Sequence, residues 1–131
     1  EALVLRREIY AGWVALSGSA DVENTILSGF NLSLSMMNLG LWDEVKPFVH
    51  DQLPQARKSL GADHNLTLKL NQVLATALAN DPKRTRDDLL EGEIIMQDVV
   101  QRRRRVFGPA HPDTLEAERA LSLARAGLAR A

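Results

Sequence analysis

The chain is 131 residues long, 45% hydrophobic and 25% charged, with a net charge of −1. That length supports one domain with a real core, and the charge balance argues against a disordered chain or one built mainly to hold polyanions. There is no cysteine, which excludes disulfides, thiolate nucleophiles and cysteine-based zinc sites. Aromatic residues are scarce while Leu and Ala abound, a composition that favours helices over strands. No apolar run reaches the ~18–20 residues of a membrane span and no signal peptide is visible, so a cytoplasmic protein with no membrane partner is expected. The first residue is Glu1 rather than Met, as expected of a processed chain or of a fragment of a longer one.

Residues 2–16 read as a helix, because Leu5, Ile9, Trp13 and Leu16 recur at spacings of three and four. Ser17, Gly18 and Ser19 break it. A second helix runs from about Glu23 to Leu39 and stops at Gly40. Asp43 is expected to cap a third, from about Glu44 to Leu60, closed by Gly61. A fourth covers His64 to Ala79, followed by the turn cluster Asn80-Asp81-Pro82-Lys83. Thr85 with Asp88 three residues on reads as a capping box opening a long fifth helix, which ends near Phe107 before Gly108-Pro109. Pro112 lies in the first turn of a sixth helix that carries on to the C-terminus. Short loops imply antiparallel neighbours.

Three stretches repeat one another. They are Arg105 to Leu115, Ser59 to Leu68 and, less clearly, Leu16 to Ile26. Their threonines, Thr25, Thr67 and Thr114, are 42 and 47 residues apart. Self-similarity at such a period marks a helical solenoid. The expected fold is an all-α right-handed superhelix of antiparallel helix pairs forming a single domain over 1–131. Its repeat units fall at about 1–22 (partial), 23–63, 64–110 and 111–131 (partial).

These signatures resemble the tetratricopeptide repeat in its kinesin-light-chain-like form. His111-Pro112-Asp113-Thr114 matches the opening of that family's first helix, Asn31-Leu32 an Asn-Leu within it, and Gly40 to Pro47 the turn into the second. The resemblance implies a non-enzymatic interaction module that needs no cofactor or metal and holds a peptide or helix of a partner in a concave groove. Three departures stand out. The second repeat lacks the turn Gly and aromatic and carries about five extra residues around Asn80–Leu90, expected to project as a polar loop. Pro54 stands where the family prefers Ala. The inner-face Asn survives only as Asn31, its counterparts being Val73 and Ala120.

Counted from each threonine, the inward positions are Leu27, Phe30, Leu34 and Met37, then Lys69, Gln72, Thr76 and Ala79, then Glu116, Arg119, Leu123 and Ala126. With Asn31, all of these but Ala79, Leu123 and Ala126 make the expected partner-binding face. The second helix is apolar all round, so it is either buried on every side or offers Phe30 and Met37 as a docking surface. Leu32 and Met36 fit the core better.

Arg102-Arg103-Arg104-Arg105 is the strongest charge feature. Consecutive residues wind around a helix at ~100° each, so the four cannot share a face. Arg102 stands where the family has an apolar residue, and its stem is expected to pack along the core. The run is read either as a solvated, ion-paired helix end or as a basic patch for an acidic partner or nucleic acid. The missing interleaved aromatics argue against nucleic acid. His50, His64 and His111 lie in separate segments without metal-ligand spacing, and no nucleophile elbow, phosphate loop or dinucleotide fingerprint occurs. Two other partners remain open: a second copy of the chain, or the rest of a longer protein that would cover the ends of the array.

Overall fold

The computed structural model describes residues 2–16 and 22–130, and among them every regular element is a helix. There are six: α1 (Ala2–Leu16), α2 (Val22–Asn38), α3 (Trp42–Ser59), α4 (Asn65–Asn80), α5 (Arg86–Phe107) and α6 (Pro112–Arg130). The sequence places all six, with ends displaced by one or two residues. The expected break at Ser17-Gly18-Ser19, and with it part of the first repeat signature, lies outside the described residues.

Each helix packs against the next in the chain, α2 also touches α4, and α4 touches α6. Two apolar clusters fill the interior. One joins Ile26, Leu32 and Met36 of α2 to Val45, Val49 and Leu53 of α3 and Leu70, Val73 and Leu74 of α4. The other joins Leu68 and Ala75 of α4 to Met96, Val99 and Val100 of α5 and Ala117 and Leu121 of α6. Helix α4 therefore faces both. Ten of its residues are buried, more than in α2, although α2 carries the more continuously apolar sequence. The buried side of α2 includes Ser28, Gly29, Ser33 and Ser35, small residues that let neighbouring helices approach. At the other end, Tyr10 of α1 meets Phe48 of α3 edge-on, with ring centroids 5.2 Å apart.

Glycine ends three helices where the backbone turns left-handed, at Gly40, Gly61 and Gly108. After Gly61 and Gly108 the same local structure is built twice. The His64 N–H donates to the Gly61 carbonyl, and the His111 N–H to the Gly108 carbonyl. The Nδ1 atoms of those histidines then accept from the N–H of Leu66 at 3.1 Å and of Asp113 at 3.0 Å. One turn further on, Thr67 and Thr114 are fully buried. The two clearer repeat signatures thus fold alike, with histidine supplying the acceptor that an N-cap requires.

Three local expectations need correcting. Helix α3 starts from Leu41 without a side-chain cap, and Asp43 sits inside its first turn. There its charge favours the helix dipole without bonding to the backbone. The extra residues at 80–90 do not form a projecting loop. Helix α4 runs through Asn80 and α5 begins at Arg86, so 81–85 alone lie outside the helices. The capping box explains the early start: Thr85 Oγ1 accepts from the Asp88 N–H while the Asp88 carboxylate accepts from the Thr85 N–H. Asp81 ties the turn down. It is buried, pairs with Lys46 Nζ at 2.6 Å and accepts from the Lys83 N–H at 2.9 Å. Finally, the arginine that packs inward is Arg103, at 2% exposure, and not Arg102. Leu89, Gly92, Met96, Val99, Val100 and Arg103 form the buried stripe of α5, and helical spacing leads directly to Arg103.

Candidate functional site

Helices α2, α4 and α6 lie side by side, and their facing side chains enclose a cleft of about 260 Å³. Phe30, Leu34 and Met37, spaced at three and four along α2, make its apolar wall. Lys69, Gln72 and Thr76 of α4 stand opposite, with Val73 beside them. Asp113 and Glu116 close the α6 side, and Arg103 reaches in from α5. Seven of the expected face residues therefore meet in one place: Phe30, Leu34, Met37, Lys69, Gln72, Thr76 and Glu116. Leu27, Asn31 and Arg119 do not line the cleft. Leu27 and Arg119 are exposed, and the Asn31 carbonyl accepts from Arg6 Nη1 at 2.8 Å.

Phe30 and Met37 are half-buried, packing against the first apolar cluster while still lining the cleft. Lys69 Nζ lies 5.5 Å from the centre of the Phe30 ring, within cation–π range. Leu32 and Met36 point into the core. A one-residue step separates the two environments, because 100° of rotation turns a side chain from interior to face.

Arg103 organises the polar side. Its Nε and Nη2 donate to Gln72 Oε1 at 3.0 and 2.7 Å, and Nη1 donates to Asn65 Oδ1 at 3.1 Å. The nearest carboxylate, Asp113, is 3.9 Å away. Burial pulls the guanidinium below its usual value, opposed by the charges of Asp113 and Glu116. Neutral amides take up most of the hydrogen bonding of a buried cation, so Gln72 offers its remaining amide donors, rather than its oxygen, to anything in the cleft.

The other arginines of the run are exposed or nearly so, and each is paired. Arg102 meets Asp98 and Asp63, both at 2.9 Å. Arg104 meets Glu118 at 2.6 Å, and Arg105 meets Asp63 at 2.8 Å. Bonds from Arg102 and Arg105 hold the Asp63 carboxyl below the usual carboxylate range. Arg102 and Arg105 converge on Asp63, Arg104 reaches α6 and Arg103 turns inward, so the run binds α5 to its neighbours on three sides.

Beyond Thr76, which belongs to both, the face opens into a larger groove of about 690 Å³. Ala75 and Ala79 of α4 and Ala120, Ala124 and Gly127 of α6 line it, over Leu89, Gly92 and Met96 of α5. Arg84, Arg86 and Arg130 stand at its edge. Counting from the repeat threonines puts Thr76, Ala79 and Leu123 on the inward face, and all three line this groove, but it does not find the arginines. The arginines are scattered along the chain, and no local pattern brings the turn at 84–86 next to the end of α6.

Compared with known proteins, the chain matches no family model, no curated protein and no solved structure.

Proposed function

We propose that this chain is a short α-solenoid of the tetratricopeptide kind, kinesin-light-chain-like in its signatures, and that it acts as a non-enzymatic interaction module. It would hold a peptide or helix of a partner protein in the cleft formed by α2, α4 and α6, in a cytoplasmic setting. The observation that carries this reading is the convergence of equivalent repeat positions on one cleft, with Phe30, Leu34 and Met37 on one wall and Lys69, Gln72 and Thr76 on the other. An apolar wall facing a few fixed polar groups is the usual make-up of a recognition site. Selection of displayed random peptides on the immobilised chain tests it. Peptides should emerge whose binding is lost in Phe30→Ser and Met37→Ser. Because Phe30 is half-buried, its truncation should cost about 1–3 kcal/mol, less than a full core deletion, and leave a folded protein. Selected peptides that bind both variants as well as the parent would refute the assignment.

A second reading rests on the ends of the array. Val4, Leu5, Ile9 and Val14 of α1, and Leu115 and Leu123 of α6, are exposed. They would suit burial against a second copy or the rest of a longer chain. A light-scattering mass above that of the monomer would favour it. The paired arginine run lends no comparable support to nucleic-acid binding.

A further inference from the structure

We propose that the larger groove beyond Thr76 binds an acidic peptide segment, its carboxylates held by Arg84, Arg86 and Arg130; this rests on reading the face as peptide-binding. Three observations lead there. First, the charge is one-sided. Among the described residues no carboxylate lines the groove, and none of the three arginines stands in an ion pair. The arginine run behaves differently, since each of its members has an acidic neighbour. Of the carboxylates near the groove edge in sequence, Asp81 is engaged by Lys46 and Asp88 by the backbone of Thr85, while Asp87, next to Arg86, is exposed and does not line the groove; Arg84 also donates from Nη1 to the Asp81 carbonyl at 3.3 Å. Cations without carboxylate partners at the mouth of a partly apolar groove attract an anionic partner and set its orientation.

Second, apart from Leu123 the facing walls of α4 and α6 are small. Ala75, Ala79, Gly92, Ala120 and Ala124 leave room for a backbone to come close, where larger side chains would fill the space. Gly92 already lets α5 approach the Ala75 carbonyl, and a Cβ there would lie 3.4 Å from that oxygen. Third, Asn80 stands along the wall, and Thr76 and Thr85, whose hydroxyls already donate to the Gln72 carbonyl and accept from the Asp88 N–H, keep an acceptor and a donor respectively for a peptide backbone. An acyl chain would have no use for them, so a peptide fits better than an anionic lipid. The two parts of the face differ in chemistry: the α2 cleft sets an apolar wall against Asp113 and Glu116 beside Lys69 and Arg103, and the groove beyond Thr76 is mostly small-lined with a cationic edge. A peptide crossing both would lie with its acidic part toward Arg84, Arg86 and Arg130.

A short fluorescein-labelled peptide of alternating glutamate and alanine, with a glutamine-for-glutamate control, tests this by fluorescence anisotropy on the full chain. The glutamate peptide should bind saturably and more weakly as salt rises, and the glutamine peptide should not bind. R84Q/R86Q/R130Q should weaken binding roughly tenfold or more, while R102Q/R104Q/R105Q, which removes the same charge elsewhere, should stay within about twofold. Ala79→Trp, which fills the groove and keeps every charge, should also abolish binding. Equal loss in both arginine triples would reduce the effect to net charge and overturn the proposal. So would binding that survives Ala79→Trp, a glutamate peptide that fails to bind, or arginine-dependent capture of phosphatidylserine vesicles without peptide binding. If display-selected peptides still depend on Phe30 while the glutamate peptide ignores the groove arginines, this assignment alone falls. If the glutamate peptide binds as expected and no peptide depends on Phe30, the reading of the α2 cleft falls instead.

Discussion

Gly29 and Gln52 show how closely α2 and α3 approach. A methyl group at position 29 would overlap the Gln52 amide, which is buried between the helices with its Oε1 unpaired. Two effects oppose each other in Gly29→Ala. Alanine favours the helix by about 1 kcal/mol, and displacing a buried side chain from a close-packed interface costs about 1–3 kcal/mol. The second should win, so Gly29→Ala should melt below the parent. In a Gln52→Ala background the same change should become stabilising, and a double-mutant cycle on denaturant midpoints measures the coupling. A neutral single variant would show that the amide swings aside freely. Arg103 carries a related lesson. Read as one of four basic residues it looks like surface charge, yet its position in the buried stripe of α5 makes it part of the cleft.

At the scale of elements, α3 contains two prolines, Pro47 and Pro54. Each removes an N–H and crowds the carbonyl four residues earlier. Pro54 is exposed and lies in an unbroken stretch of helix. Pro54→Ala should therefore raise stability by about 1–3 kcal/mol, read as a higher melting temperature; a lower one would show that the proline shapes the contact with α4. The turn between α4 and α5 depends on Asp81. Its carboxyl is held below the usual range, first by the bond from Lys46 and then by the Lys83 N–H, while the same pair raises Lys46. A carboxyl lowered on folding stabilises above its unfolded value, and that contribution is lost as pH falls through the lower folded value. The parent should accordingly lose stability below about pH 4. Asp81→Asn should be less stable at neutral pH and flatter across that acid range, as followed by urea midpoints at stepped pH. A variant with the parent's acid slope would remove Asp81 as its source. Shortening the turn by deleting 82–86 should cost more than a surface-loop change, since it takes away Thr85 and its cap.

For the molecule as a whole, α4 decides cooperativity. It contributes to both apolar clusters, and Ile95 packs against each of them. The two halves should unfold together rather than as separate repeats. Both tryptophans, Trp13 and Trp42, lie in the first half. Tryptophan fluorescence should report that half, while far-ultraviolet circular dichroism reports all helices. The two denaturation curves should coincide. A fluorescence transition displaced from the dichroism would show that α5 and α6 unfold independently.

The sequence by itself determined the helices, their order and seven of the cleft positions counted from the repeat threonines. Helical periodicity, terminal glycines and the Thr85–Asp88 box are local signals, and their energetics play out within a few residues. Leu32 and Met36 could be assigned to the core, and Phe30 and Met37 to the face, because one step along a helix decides between them. Tertiary structure decided the rest. It made α4 the most buried helix, since burial depends on how many neighbours a helix has and not only on its own apolarity. It chose Arg103 over Arg102 and paired Arg102, Arg104 and Arg105 with carboxylates as distant in sequence as Asp63 and Glu118. It also brought Arg84, Arg86 and Arg130 around one groove. Contacts between residues far apart in the chain leave no periodic trace in it, so only the packing of α4, α5 and α6 could reveal them.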